Sequence, residues 1–190
     1  VSAPPGLTFV VVSDDAKEKM KNRKTPIASF YANLMTFDGY YEKKWFPYTM
    51  PISDIYGLRA AFNLIAGDKT LYERHARIGS ATRAAVKEAG LKLHLQSGYS
   101  NTVTVFDIPE CTDAKSILDE MRTKYNIMLA GSFDELSGKV IRIGHMGENA
   151  RLEHMVPALE ALSATLTDLG VTLQGNLADL FLKHYREFQD

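Results

Sequence analysis

The chain has 190 residues and 21.2 kDa, the size of one domain or of one and a part, and is long enough to bury a core of its own. With 45% hydrophobic and 24% charged residues, and no apolar run near the roughly 20 residues of a membrane span, the composition excludes collagen, coiled coil and membrane bundle. Lys and Arg number 22 against 23 Asp and Glu, so no overall field favours nucleic acid; the lone Cys111 excludes an intrachain disulfide and a thiolate cluster and suits a reducing compartment.

The opening VSAPPG has neither an initiator Met nor the regions of a signal peptide and reads as the interior of a longer chain. Leu7 to Val12 (LTFVVV) predicts a buried strand, of the kind found in a parallel sheet. Ser13 is placed to cap a helix with Asp14 and Asp15 in its first turn and Lys19, Lys21, Arg23 and Lys24 towards its end, before Pro26. Phe30 to Tyr48 holds eight of the nineteen aromatics, a density that predicts either a flap over the core or an interface. Ser53 is expected to cap a helix carrying Ile55, Leu58, Phe62 and Ile65, followed by a second from about Thr70 to Ala89 that Gly90 ends.

Alternating Leu91, Leu93 and Leu95, and then Thr102 to Ile108, read as strands around the turn-rich SGYSN. Thr112 is the expected cap of a helix with Ile117, Leu118 and Met121. Ile127 to Leu129 and Val140 to Ile143 read as further strands, and Leu152 to Leu169 and Leu177 to Phe188 as helices, with Pro157 either in a first turn or at a kink. The order predicts a two-layer α/β arrangement.

Catalytic constellations are sparse. The five histidines His75, His94, His145, His154 and His184 have no helical ligand spacing, so no metal site is expected, and His75 and His184 read as surface or half-buried residues. Nucleophile elbow, phosphate loop and dinucleotide fingerprint are absent, and Cys111 beside Glu110 reads as structural. Arg142, between Ile141 and Ile143, stands out: its fork fits a carboxylate, and an internal salt bridge or a side chain reaching water is the alternative.

SAPPGL, FPYTMP, SDIYGLRAA and SGKVIRIGHMG followed by NA, in that order, resemble the class V aminotransferases of pyridoxal phosphate fold type I. The likeness is to the alanine–glyoxylate and serine–pyruvate transaminases, close to pyridoxamine–pyruvate transaminase. It implies an α/β fold in which 1–68 end the large cofactor-binding domain and 69–190 form a two-layer α/β small C-terminal domain. The implied activity moves an amino group between a small amino acid (alanine or serine) and a 2-oxo acid (glyoxylate or pyruvate), with pyridoxal 5'-phosphate as cofactor.

The family's Schiff-base lysine aligns two residues before Val1, so no catalytic residue falls within the sequence. Arg142 matches the arginine that grips the substrate α-carboxylate, and Thr49 the threonine that reaches the phosphate of a neighbouring subunit. A family tyrosine aligns with Phe46, and Tyr48 is the substitute for its hydroxyl. The resemblance further implies a homodimer with the active site at the subunit interface and the aromatic segment within it. Since the REFQD end carries no address signal, the expected location is cytoplasmic. Cysteine desulfurases share the fold but need a nucleophilic cysteine on a mobile loop, which Cys111 does not match; a cofactor-free binding or dimerisation domain is the remaining alternative.

Overall fold

In the computed structural model, residues 3–188 are described; Val1 and Ser2 of VSAPPG and the last two residues of REFQD lie outside them. The chain divides into two units, the first ending at Ala66 and the second beginning at Gly67.

In the first unit, Ser13 Oγ accepts the Ala16 amide at 3.2 Å and opens α1 (Asp14–Lys21), as the spacing predicts. The strand expected at Leu7 to Val12 does not form: no ladder partner for it exists among the described residues, and Phe9, Val10 and Val11 are exposed. β-branched residues favour an extended chain, but a strand needs a neighbour to take its amides and carbonyls. A short 3-10 turn, Leu34–Phe37, lies within the aromatic segment, where Phe37 and Phe46 each meet Tyr48 edge to face at centroid separations of 5.6 and 6.4 Å.

α2 (Ile52–Gly67) starts one residue ahead of Ser53, because the Pro51 carbonyl already accepts the Ile55 amide at 3.1 Å. Ser53 therefore lies inside the first turn rather than capping it. The helix takes Pro4 against it: a Cβ at Gly57 would stand 3.0 Å from Pro4 Cδ, so a larger residue there requires the proline to shift by a few tenths of an ångström.

The second unit holds α3 (Leu71–Glu88), β1 (Val103–Asp107), α4 (Ala114–Tyr125), β2 (Val140–Gly144), α5 (Leu152–Asp168) and α6 (Leu177–Glu187). Gly90, at φ +86°, ends the α3 segment in the left-handed region that the sequence reserves for it. Asp113, not Thr112, caps α4: its Oδ1 accepts the Ser116 amide at 3.0 Å, whereas Thr112 Oγ1 is buried without a partner. Pro157 lies in the second turn of α5, where its ring nitrogen cannot donate to the Glu153 carbonyl.

The sheet has two strands. β1 and β2 are antiparallel, with Val105 opposite Arg142 and Phe106 opposite Ile141. The strand expected at Leu91 to Leu95 reduces to a single bridge, Leu93 with Phe106, and the one expected at Ile127 to Leu129 does not form, its neighbour Ala130 making one bridge with Arg142. Phe106, Ile141 and Ile143 join Ile78, Met121, Leu159, Leu166 and Phe181 in one core between sheet and helices. Each such side chain contributes roughly 1.5–3 kcal/mol on burial.

Candidate functional site

Arg142 is the third of five residues in β2, and its neighbours Ile141 and Ile143 are buried while it is half-buried. Strand alternation sends their side chains to the opposite face, so the guanidinium is not immersed among branched apolar groups as the linear sequence implies. Both main-chain edges of Arg142 are used: one faces Val105, and on the other the Arg142 amide donates to the Ala130 carbonyl at 2.7 Å while the Ala130 amide donates back at 3.3 Å. The side chain follows the second edge. Its Nε donates to the Gly131 carbonyl at 2.5 Å, and its guanidinium carbon lies 5.5 Å from the Phe133 ring centroid.

Among the described residues, no carboxylate comes within ion-pair distance of Arg142, and its two Nη groups make no hydrogen bond. A planar cation held at Nε with its outer edge free is a receptor for a bidentate anion. Two surface hollows lie elsewhere, one lined by Ser163, Thr167 and Asn176 and another by Arg83, Lys87, Tyr99 and His184.

Beyond Arg142 the chain leaves β2 through Gly144, His145, Met146 and Gly147, and two imidazoles fix this exit. His145 is fully buried, with Nδ1 3.2 Å from the Asn101 carbonyl and Nε2 2.9 Å from the Thr104 hydroxyl. A carbonyl only accepts, so Nδ1 carries the proton and Nε2 accepts from Thr104. Burial pushes this histidine down to about 4, which keeps it neutral. His75 repeats the arrangement from α3: Nδ1 lies 2.6 Å from the Leu71 carbonyl, and Nε2 accepts the Gly147 amide at 3.0 Å. The sequence marks both as histidines, but no spacing signal connects His75 to Gly147.

The remaining candidates occupy other places. Thr49 and Tyr48 belong to the first unit and Arg142 to the second. The Tyr48 hydroxyl donates to the Phe30 carbonyl at 3.0 Å. Thr49 is exposed, and its hydroxyl makes no hydrogen bond among the described residues. Cys111 is exposed and sits in the turn just ahead of the α4 cap. His94 pairs with Asp107 at 2.7 Å and His184 with Glu88 at 2.6 Å, and no group of metal-binding side chains occurs among the described residues.

No family model matches the chain. It is 36% identical over 180 residues to a serine–glyoxylate aminotransferase of Methylorubrum extorquens, covering 88% of this chain and 43% of that protein. It is 35% identical over 174 residues to an uncharacterised aminotransferase of Methanocaldococcus jannaschii, covering 90% and 45%. The crystal structure of pyridoxamine–pyruvate aminotransferase from Mesorhizobium loti superposes with a TM-score of 0.83 at 30% identity, covering 93% of this chain and 46% of that one. The chain thus spans about half the length of the relatives it matches. Its fold is that of the corresponding part of the pyridoxal-phosphate-dependent aminotransferases.

Proposed function

We propose, from the homology of this chain to class V aminotransferases along nearly its whole length, that it serves a pyridoxal-phosphate-dependent transaminase. Residues 1–68 are the end of the large cofactor-binding domain and 69–190 the small C-terminal domain. The reaction moves an amino group between a small amino acid, alanine or serine, and a 2-oxo acid such as glyoxylate or pyruvate. The observation that carries this reading is Arg142, a strand-borne guanidinium fixed at Nε by Gly131, whose two Nη groups make no hydrogen bond among the described residues.

Arg142 takes the α-carboxylate in two parallel charge-assisted hydrogen bonds and so fixes the orientation of the substrate carbon; it moves no proton. An exposed threonine hydroxyl that makes no hydrogen bond among the described residues fits a phosphate oxygen, so Thr49 is the residue to hold the cofactor phosphate. Tyr48 joins it only by exchanging its bond to the Phe30 carbonyl for one to phosphate. The cofactor, when bound, supplies an electron sink for the charge left on the substrate carbon. The same reading makes the enzyme a cytoplasmic homodimer with its active site at the subunit interface. The exposed rings of Tyr31, Tyr41 and Trp45 offer apolar surface for that contact.

The experiment is Arg142→Ala in the holoenzyme. The expected result is retained visible absorbance of the cofactor with KM for both amino acid and oxo acid raised about ten- to hundredfold, the worth of hydrogen bonds to a charged group. Normal saturation overturns the assignment, and a protein without cofactor absorbance supports a binding or dimerisation domain instead. A second reading, transamination between pyridoxamine and pyruvate, is the activity of the structural relative from Mesorhizobium loti and is separated by offering pyridoxamine as amino donor.

A further inference from the structure

We infer that Phe133 is a positioning residue for carboxylate recognition: with the Gly131 carbonyl it holds the Arg142 guanidinium so that both Nη groups face an incoming carboxylate. This rests on the proposed role of Arg142 and adds the element that makes its side chain selective. An arginine side chain is long and flexible, and one hydrogen bond at Nε leaves the guanidinium plane free to rotate. The Phe133 ring, with the guanidinium carbon over it at 5.5 Å from its centroid, supplies the second constraint through a cation–π contact.

The loop that carries the ring is tied to the same residue it contacts. Ala130 and Arg142 exchange both main-chain hydrogen bonds, Gly131 accepts Nε, and Phe133 follows two residues later. Asp134, at φ +49°, then turns the chain into the 3-10 segment Asp134–Leu136. Phe133 itself is 73% exposed and belongs to no core cluster, so burial does not account for an aromatic ring there. A ring beside the guanidinium also excludes water from one side, which strengthens a hydrogen-bonded ion pair formed at the outer edge.

The test compares Phe133→Leu, Phe133→Tyr and Arg142→Lys in the holoenzyme, with pyruvate and glyoxylate as carboxylate probes. Phe133→Leu is expected to raise KM for both acids about two- to fivefold at nearly unchanged kcat, the scale of an exposed cation–π contact, and Phe133→Tyr to restore it. Independently of activity, the side-chain Nε–H resonance of Arg142 should shift in Phe133→Leu through loss of the ring current and return in Phe133→Tyr. If Arg142→Lys raises KM while Phe133→Leu leaves KM and the Nε–H resonance as in the parent, this inference fails and the Arg142 assignment stands. If Arg142→Lys saturates normally, the Arg142 assignment itself fails, and this inference falls with it.

Discussion

The Thr104 hydroxyl donates to Nε2 of His145 at 2.9 Å inside the core, tying the exit of β2 to the second residue of β1. Both residues are shielded from water, so the bond holds only while the imidazole is neutral. The second ring nitrogen is already committed to the Asn101 carbonyl. The tautomer is therefore set by what surrounds the ring.

This pair makes stability depend on pH in a defined window. Burial lowers His145 from its ordinary 6.5 to about 4, so between these values the unfolded chain binds a proton that the folded one refuses. The stabilisation is complete above pH 6.5 and is lost as pH falls through about 4, amounting to about 3 kcal/mol. Urea unfolding from pH 4 to 7 should show this slope, and His145→Gln should flatten it. A parent and variant with parallel pH curves would remove His145 as its source.

Thr104→Val keeps shape and volume but deletes the donor. Nε2 is then a buried acceptor with no partner, at a cost of about 1–3 kcal/mol. Thermal melts at pH 7 measure it, and an unchanged midpoint would mean that another donor or water reaches the ring.

His75→Leu removes the acceptor of the Gly147 amide without touching β2. Hydrogen exchange at Gly147 should accelerate about tenfold or more while the Ile143 amide, inside the ladder, keeps its protection. Equal acceleration at both would show that the ring supports the strand as a whole.

Phe181→Ala empties the contact between α6 and the core. Phe181 is fully buried and its ring lies tilted against Tyr185 at 5.8 Å between centroids, so the loss should be about 3–5 kcal/mol in a denaturant titration. A cost below about 1 kcal/mol would mean that α6 does not close the core.

Much of the second unit is legible in the linear order. Helical spacing finds α3 to α6 within a few residues, Gly90 marks the end of α3, and Val140 to Ile143 reads as the strand it becomes. Errors concentrate where two local signals compete or a partner is needed. Asp113 outbids Thr112 for the α4 cap because a carboxylate accepts the helix amides more strongly than a hydroxyl. Leu7 to Val12 carries every mark of a strand except something to pair with. Arg142 was visible as an anomaly between two isoleucines, but Gly131, Phe133 and His75 sent no signal, for ordinary residues acquire those roles only through contact.

By itself the sequence determined most of what lies within one helical turn: the Ser13 cap, amphipathic helix faces and the glycine that ends α3. Tertiary structure alone decided the pairings that join distant segments, such as His75 with Gly147 and Thr104 with His145, separated by 72 and 41 residues. The physical reason is range. Local backbone geometry depends on neighbours three or four residues away and is written in their spacing, whereas the proton on a buried imidazole and the free edge of a guanidinium depend on which remote carbonyl, hydroxyl or ring the folded chain brings beside them.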